Sequence, residues 1–99
     1  MRDFAEAHVR DLAAAAERLY RKAALQHLAG DPRADESRAQ AKEALVRAGV
    51  ARARAAAFRP VSVAQAAAGE AAARERAETQ DLVVWEAVLK AERAGETAR

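Results

Sequence analysis

The amino-acid sequence predicts an all-α protein built from three long antiparallel helices. Alanine, arginine, glutamate and leucine dominate the chain, and these residues lose little conformational freedom on entering a helix. Glutamates also recur four residues before a basic residue, an orientation that stabilises helices. These pairs are Glu6 and Arg10, Glu17 and Arg21, Glu43 and Arg47, Glu70 and Arg74, and Glu86 and Lys90. No strand-like alternation interrupts the pattern, so the 99 residues are expected to form one all-helical domain, 1–99.

Two short segments rich in turn residues divide the chain into three helices. Gly30 is typical of the residue that follows a helix, and the Asp-Pro pair at 31–32 is typical of an N-cap and first helical residue. Pro60 ends the second helix, because the residue before a proline is disfavoured in the helical region. Ser62 and Gln65 have the spacing of a capping box that opens the third. The predicted helices span residues 3–29, 32–58 and 62–94.

Helical spacing places five apolar residues of the first helix on one stripe. This stripe consists of Val9, Leu12, Ala16, Leu19 and Ala23. Phe4, His8 and Tyr20 lie at its edges, whereas Leu25 and Leu28 fall on the opposite side. The C-terminal end of the first helix is therefore expected to be covered from two directions.

The second helix has a face of small residues, which lets a neighbouring backbone approach closely. This face consists of Ala34, Ala41, Leu45, Ala48, Gly49 and Ala56. A second stripe, about 100° away around the helix, consists of Val46, Val50, Ala53 and Ala57. Because two stripes need two neighbours, the second helix is expected to be the central one.

The third helix carries the most apolar segment of the chain. Its predicted stripe, with two flanking valines, consists of Ala64, Ala67, Ala71, Leu82, Trp85, Leu89, Val84 and Val88. Arg74 and Glu78 also fall within this stripe. We expect them either to form an exposed ion pair where the stripe ends or to make a buried polar contact with a partner. Trp85, the only tryptophan, is expected to be either the main apolar anchor of the core or the centre of an interface.

The core that this sequence can build is thin. Alanine contributes 31 residues, whereas leucine, valine, phenylalanine, tryptophan and tyrosine together contribute 19. An alanine methyl buries little apolar surface against the entropy lost by each ordered residue. We therefore expect a small non-enzymatic interaction or adaptor protein that self-associates or docks on a larger protein partner. The residues expected at that interface are Leu82, Trp85, Val88, Leu89, Leu25 and Leu28.

Residue types that carry catalysis or bind metals form no recognisable site in the sequence. His8 and His27 each stand near a single aspartate, and no second pair completes a metal coordination sphere. The four glycines form no phosphate-binding or dinucleotide-binding pattern, and cysteine is absent. We therefore expect no catalytic residue, metal or cofactor. Without a long apolar run or the apolar core of a signal peptide, the chain is expected to be cytoplasmic, with no membrane partner.

One arginine-rich segment supports an alternative function. Residues 40–60, QAKEALVRAGVARARAAAFRP, resemble a helix-turn-helix motif, in which Gly49 would make the turn and the following helix would enter the major groove of DNA. The arginines expected to contact bases or phosphates are Arg47, Arg52, Arg54 and Arg59. The simpler interpretation is a solvated helix face, since the net charge is only +2. Residues 34–58 would form one continuous helix in the bundle but would bend at Gly49 in the DNA-binding protein.

Overall fold

The computed structural model describes residues 2–57 and 60–98, and these residues form a bundle of three antiparallel helices. The helices are α1 (Arg2–Leu28), α2 (Ala34–Ala56) and α3 (Val63–Ala98). The bundle measures 51 × 25 × 18 Å. The predicted all-α fold is confirmed, and every described helix boundary lies within four residues of its predicted position. Phe58 and Arg59, where the second helix was expected to end, lie outside the described residues.

The connection between α1 and α2 depends on Gly30. Its φ of 73° lies in the left-handed region, where glycine is favoured. The Gly30 N–H donates to the carbonyl of His27 at 3.0 Å, and the Asp31 N–H donates to the carbonyl of Gln26 at 2.9 Å. These two bonds form a Schellman motif, which confirms the predicted end of the first helix. A carboxylate oxygen of Asp31 then accepts from the Arg33 N–H at 2.9 Å, so a turn precedes α2 and delays its first residue to Ala34.

The start of α3 is capped by the two residues that the sequence indicates. The Gln65 N–H donates to the Ser62 hydroxyl at 3.1 Å, and the Ser62 N–H donates to the Gln65 side-chain oxygen at 2.9 Å. These reciprocal bonds confirm the capping box. Before them, Ala57 has an extended conformation, with φ −75° and ψ 133°, and ends α2.

The buried core consists mainly of alanine, which confirms the expectation of close helix contact and little bulk. The buried alanines are Ala16, Ala23, Ala24, Ala34, Ala41, Ala44, Ala48, Ala73 and Ala77. Val46 is also buried, and Tyr20 is the largest fully buried side chain of the described residues. A Cβ added to Gly49 would lie 3.3 Å from the Cβ of Ala73, so α2 and α3 approach closely at this glycine. The small-residue face of α2 therefore packs as predicted in its N-terminal and central parts, whereas its last residue, Ala56, is exposed.

The predicted inward stripe of α3 is wrong in its N-terminal half and at Leu82, whereas Trp85 and Leu89 of the same stripe are half-buried. Leu82, placed by its spacing on the inward stripe, is 61% exposed, and the alanines at the N-terminal end of that stripe are also exposed. The buried positions are instead Ala73, Ala77 and Asp81. Hydrophobic periodicity misses this face because one of its three buried residues, Asp81, is a carboxylate and the other two are alanines. Tyr20, predicted at an edge of the α1 stripe, lies in the core opposite this carboxylate.

Candidate functional site

A buried polar cluster joins the three helices, with one side chain from each. The Tyr20 hydroxyl of α1 donates to Oδ1 of Asp81 on α3 at 2.7 Å, and Nη2 of Arg38 on α2 donates to Oδ2 at 2.9 Å. Nε of Arg38 also approaches Oδ1, at 3.4 Å. Tyr20 is 0% exposed and Asp81 is 7% exposed. Tyr20, Arg38 and Asp81, called here the polar cluster, therefore form a charge-assisted network between the helices.

The environment of the polar cluster sets its protonation state. Burial by itself would raise the pKa of Asp81, but hydrogen bonds from Arg38 and Tyr20 outweigh burial and hold this pKa below its ordinary value. Burial, followed by the hydrogen bond to Asp81, raises the pKa of Tyr20 well above its ordinary value. At neutral pH the cluster consequently contains an ionised carboxylate and a protonated phenol.

The polar groups of the cluster are bonded to one another, as in a cluster with a structural role. Among the described residues, no buried side-chain nitrogen or oxygen lacks a hydrogen-bond partner. A carboxylate that already accepts bonds from Tyr20 and Arg38 is held in place, and removing either partner would leave a buried charge poorly compensated. The cluster therefore links the three helices through bonds whose geometry depends on how the helices are rotated against one another.

Trp85 lies at the edge of the polar cluster and is only partly buried. The guanidinium carbon of Arg38 lies 4.7 Å from the centroid of the Trp85 ring, a cation–π contact. On α1, His27 meets the same ring edge-on, with centroids 5.7 Å apart. Trp85 thus packs against both neighbouring helices while part of its surface remains exposed. His27, considered above as a metal ligand, makes an aromatic contact instead.

An apolar surface on α3 begins directly after Asp81. Leu82 is 61% exposed and Val83 is 64% exposed, and we call this pair the α3 apolar surface. Trp85, Val88 and Leu89 continue the same segment and are half-buried. On α1, the predicted interface residues Leu25 and Leu28 are 43% exposed and half-buried, respectively. All six residues expected at an interface therefore retain exposed surface, and Val83 is an exposed apolar residue that the sequence interpretation omitted.

The arginine-rich segment does not form the helix-turn-helix that it resembles. The helix α2 continues through Gly49 to Ala56, so the turn required at this glycine is not formed. Arg47, Arg52 and Arg54 are exposed, and Arg59 lies outside the described residues. DNA binding through these arginines stays a prediction, now without the geometry of that motif to support it.

Arg74 and Glu78 each pair with α2. Arg74 donates to both carboxylate oxygens of Glu43, at 2.9 Å each, and to Glu70 at 3.2 Å. Glu78 pairs with Lys42. Both residues of α3 are exposed, as the simpler expectation has it, but the expected pair between them is not formed: Arg74 pairs with Glu43 on α2 and Glu70 on α3, and Glu78 pairs with Lys42 on α2. Such exposed pairs contribute little to stability but add specificity to the packing of α3 against α2.

The described part of the chain has no cluster of three or more histidine, cysteine, aspartate or glutamate residues that could hold a metal ion. Within residues 2–57 and 60–98, no helix combines the length and apolar character required to cross a membrane.

Comparison with known proteins found no match to this chain among protein-family models, curated proteins or solved structures. The fold and the surfaces described above therefore define its class: a three-helix bundle with a buried polar cluster and an exposed apolar segment.

One sequence signal could have revealed the cluster. Asp81 follows Ala73 and Ala77 at four-residue spacing, directly before the most apolar segment of the chain.

Proposed function

We propose that this chain is a non-enzymatic helical interaction module that associates through the α3 apolar surface, first of all with a second copy of itself. The observation that carries the proposal is the exposure of its most apolar segment. Leu82 and Val83 face solvent, whereas the inward positions of α3 are two alanines and an aspartate. Contiguous exposed apolar patches are typical of interaction surfaces, and the adjacent Leu82 and Val83 support this assignment.

The surroundings of this surface are compatible with pairing between two copies. In a symmetric dimer the same patch lies on both sides of the interface, so the patch must be complementary to itself. Glu86 and Lys90 are exposed and follow Leu82 and Val83 at helical spacing. Because the patch carries both signs of charge, two copies can meet without like-charge repulsion.

The expected energy of this contact follows from the exposed area. Completing the burial of two side chains that are more than half exposed contributes about 1–2 kcal/mol for each side chain in each copy. Replacing Val83 by lysine removes this contribution and places charges close together at the dimer interface. We expect Val83→Lys to weaken the dimer by at least about tenfold, which corresponds to roughly 1.4 kcal/mol.

Sedimentation velocity over a range of micromolar concentrations tests this proposal. The wild-type chain should shift from monomer to dimer as concentration rises, and Leu82→Lys and Val83→Lys should remain monomeric. Val63→Lys is the matched control, because Val63 is 89% exposed at the opposite end of α3. Far-UV circular dichroism should show unchanged helicity in all three variants.

Two results would contradict self-association through this surface. One is a wild-type chain that stays monomeric at every concentration. The other is a dimer that Val63→Lys disrupts as strongly as Val83→Lys. For docking on another protein, binding partners captured by the wild-type chain should be lost with Val83→Lys and retained with Val63→Lys.

A further inference from the structure

A groove opens into the bundle at the end where α1 begins and α2 ends. It has a volume of about 750 Å³ and is lined by residues of all three helices. Apolar side chains of Leu12, Val46 and Val50 form much of its lining. Small-molecule sites commonly have volumes of roughly 300–1,000 Å³, apolar walls and a few polar groups, and are often found between the helices of bundles. The groove meets each of these conditions.

The charges at the groove are unevenly compensated. Both lining carboxylates, Glu43 and Glu70, already accept hydrogen bonds from Arg74. Arg47 and Arg54 also line the groove, are exposed, and lie two helical turns apart on α2. Among the described residues, no carboxylate forms an ion pair with Arg54. The groove therefore combines apolar walls with available positive charge.

We propose that this groove binds a single-chain anionic amphiphile, with its acyl chain against Leu12, Val46 and Val50 and its carboxylate at Arg47 and Arg54. The apolar lining accounts for the tail, and the two arginines account for the charged head, since guanidinium groups pair well with carboxylates. The residues proposed to hold the ligand lie on α1 and α2, and neither Leu82 nor Val83 of the α3 apolar surface lines the groove. The proposal is therefore independent of self-association.

The binding experiment uses dodecanoate, below its micelle concentration, as the probe for two-dimensional NMR of the isotopically labelled full chain. Backbone amide shifts should concentrate around Leu12, Val46 and Val50. A neutral amphiphile of equal chain length, dodecyl maltoside, tests the need for charge and should bind more weakly. Vesicles of phosphatidylglycerol test whether the arginines bind an anionic membrane surface in place of a single amphiphile. The chain should not sediment with these vesicles.

Three variants test the geometry of the site. Arg47→Glu combined with Arg54→Glu should weaken dodecanoate binding by about tenfold, because each reversal replaces an attraction by a repulsion. Arg76→Glu, an exposed arginine of α3 outside the groove, should change the affinity by less than about twofold. Ala51→Phe fills the groove from its lining and should abolish binding while far-UV circular dichroism shows retained helicity.

Each of the following results would overturn the proposal: no saturable shifts with dodecanoate, shifts centred on Leu82 and Val83, or equal loss of affinity in Arg76→Glu and the double variant. Undiminished binding by a helical Ala51→Phe variant would also overturn it. Sedimentation with vesicles in the absence of dodecanoate binding would assign the arginines to a membrane surface.

Discussion

Replacing Tyr20 by phenylalanine tests whether the polar cluster determines the packing of the bundle. The Tyr20 hydroxyl is fully buried and donates to an ionised carboxylate at 2.7 Å. Hydrogen bonds to charged groups contribute about 1.5–3 kcal/mol, and phenylalanine retains the ring packing. Because Arg38 still pairs with Asp81 in the variant, we expect Tyr20→Phe to lower the free energy of unfolding by about 2 kcal/mol near neutral pH.

The same substitution should change the dependence of stability on alkaline pH. The pKa of Tyr20 is raised in the folded protein, so the unfolded chain loses this proton first as the pH rises. The stabilising contribution is therefore fully present below about pH 10 and declines above it by about 1.4 kcal/mol per pH unit. Tyr20→Phe has no phenolic proton to lose. The difference of about 2 kcal/mol in unfolding free energy between the wild-type chain and this variant near neutral pH should therefore vanish near pH 11.5.

Urea unfolding followed by far-UV circular dichroism, in parallel for both chains between neutral and strongly alkaline pH, measures this difference. Every titratable group other than Tyr20 is common to the two proteins, so subtracting one curve from the other isolates Tyr20. A difference in unfolding free energy that stays constant with pH would refute the buried hydrogen bond. A difference near zero at neutral pH would refute its contribution to stability.

Two further predictions concern the contact between α2 and α3 and the edge of the core. Gly49→Leu should destabilise the protein by about 1–3 kcal/mol, because the side chain would meet Ala73, whereas Gly69→Ala should stabilise it by up to about 1 kcal/mol, since space is open there. Thermal unfolding compares these glycine variants, and equal shifts would contradict the close approach. Trp85→Ala should lower the free energy of unfolding by about 2 kcal/mol, whereas truncating a fully buried ring costs roughly 3–5 kcal/mol. The smaller loss is expected because Trp85 is half-buried and its contact with Arg38 adds only about 1 kcal/mol. Chemical denaturation measures this loss, and complete unfolding would show that the ring anchors the core.

The sequence by itself determined the three helices, the end of α1 and the start of α3. Gly30 ends α1 and the Ser62–Gln65 capping box opens α3, each through hydrogen bonds between residues at most five positions apart. Such bonds depend on local backbone geometry, so local patterns predict them. The abundance of alanine likewise predicted a core of small residues, and the small-residue face of α2 predicted that a neighbouring helix approaches it closely.

Only the tertiary structure decided which face of α3 turns inward and what the arginine-rich segment becomes. The bond between Tyr20 and Asp81 joins residues 61 positions apart, and no helical period relates them. Because this carboxylate is buried by its partners, Leu82 and Val83 rotate into solvent. Gly49 could have made a turn, but α2 continues through it, and the missing side chain instead lets Ala73 of α3 approach closely.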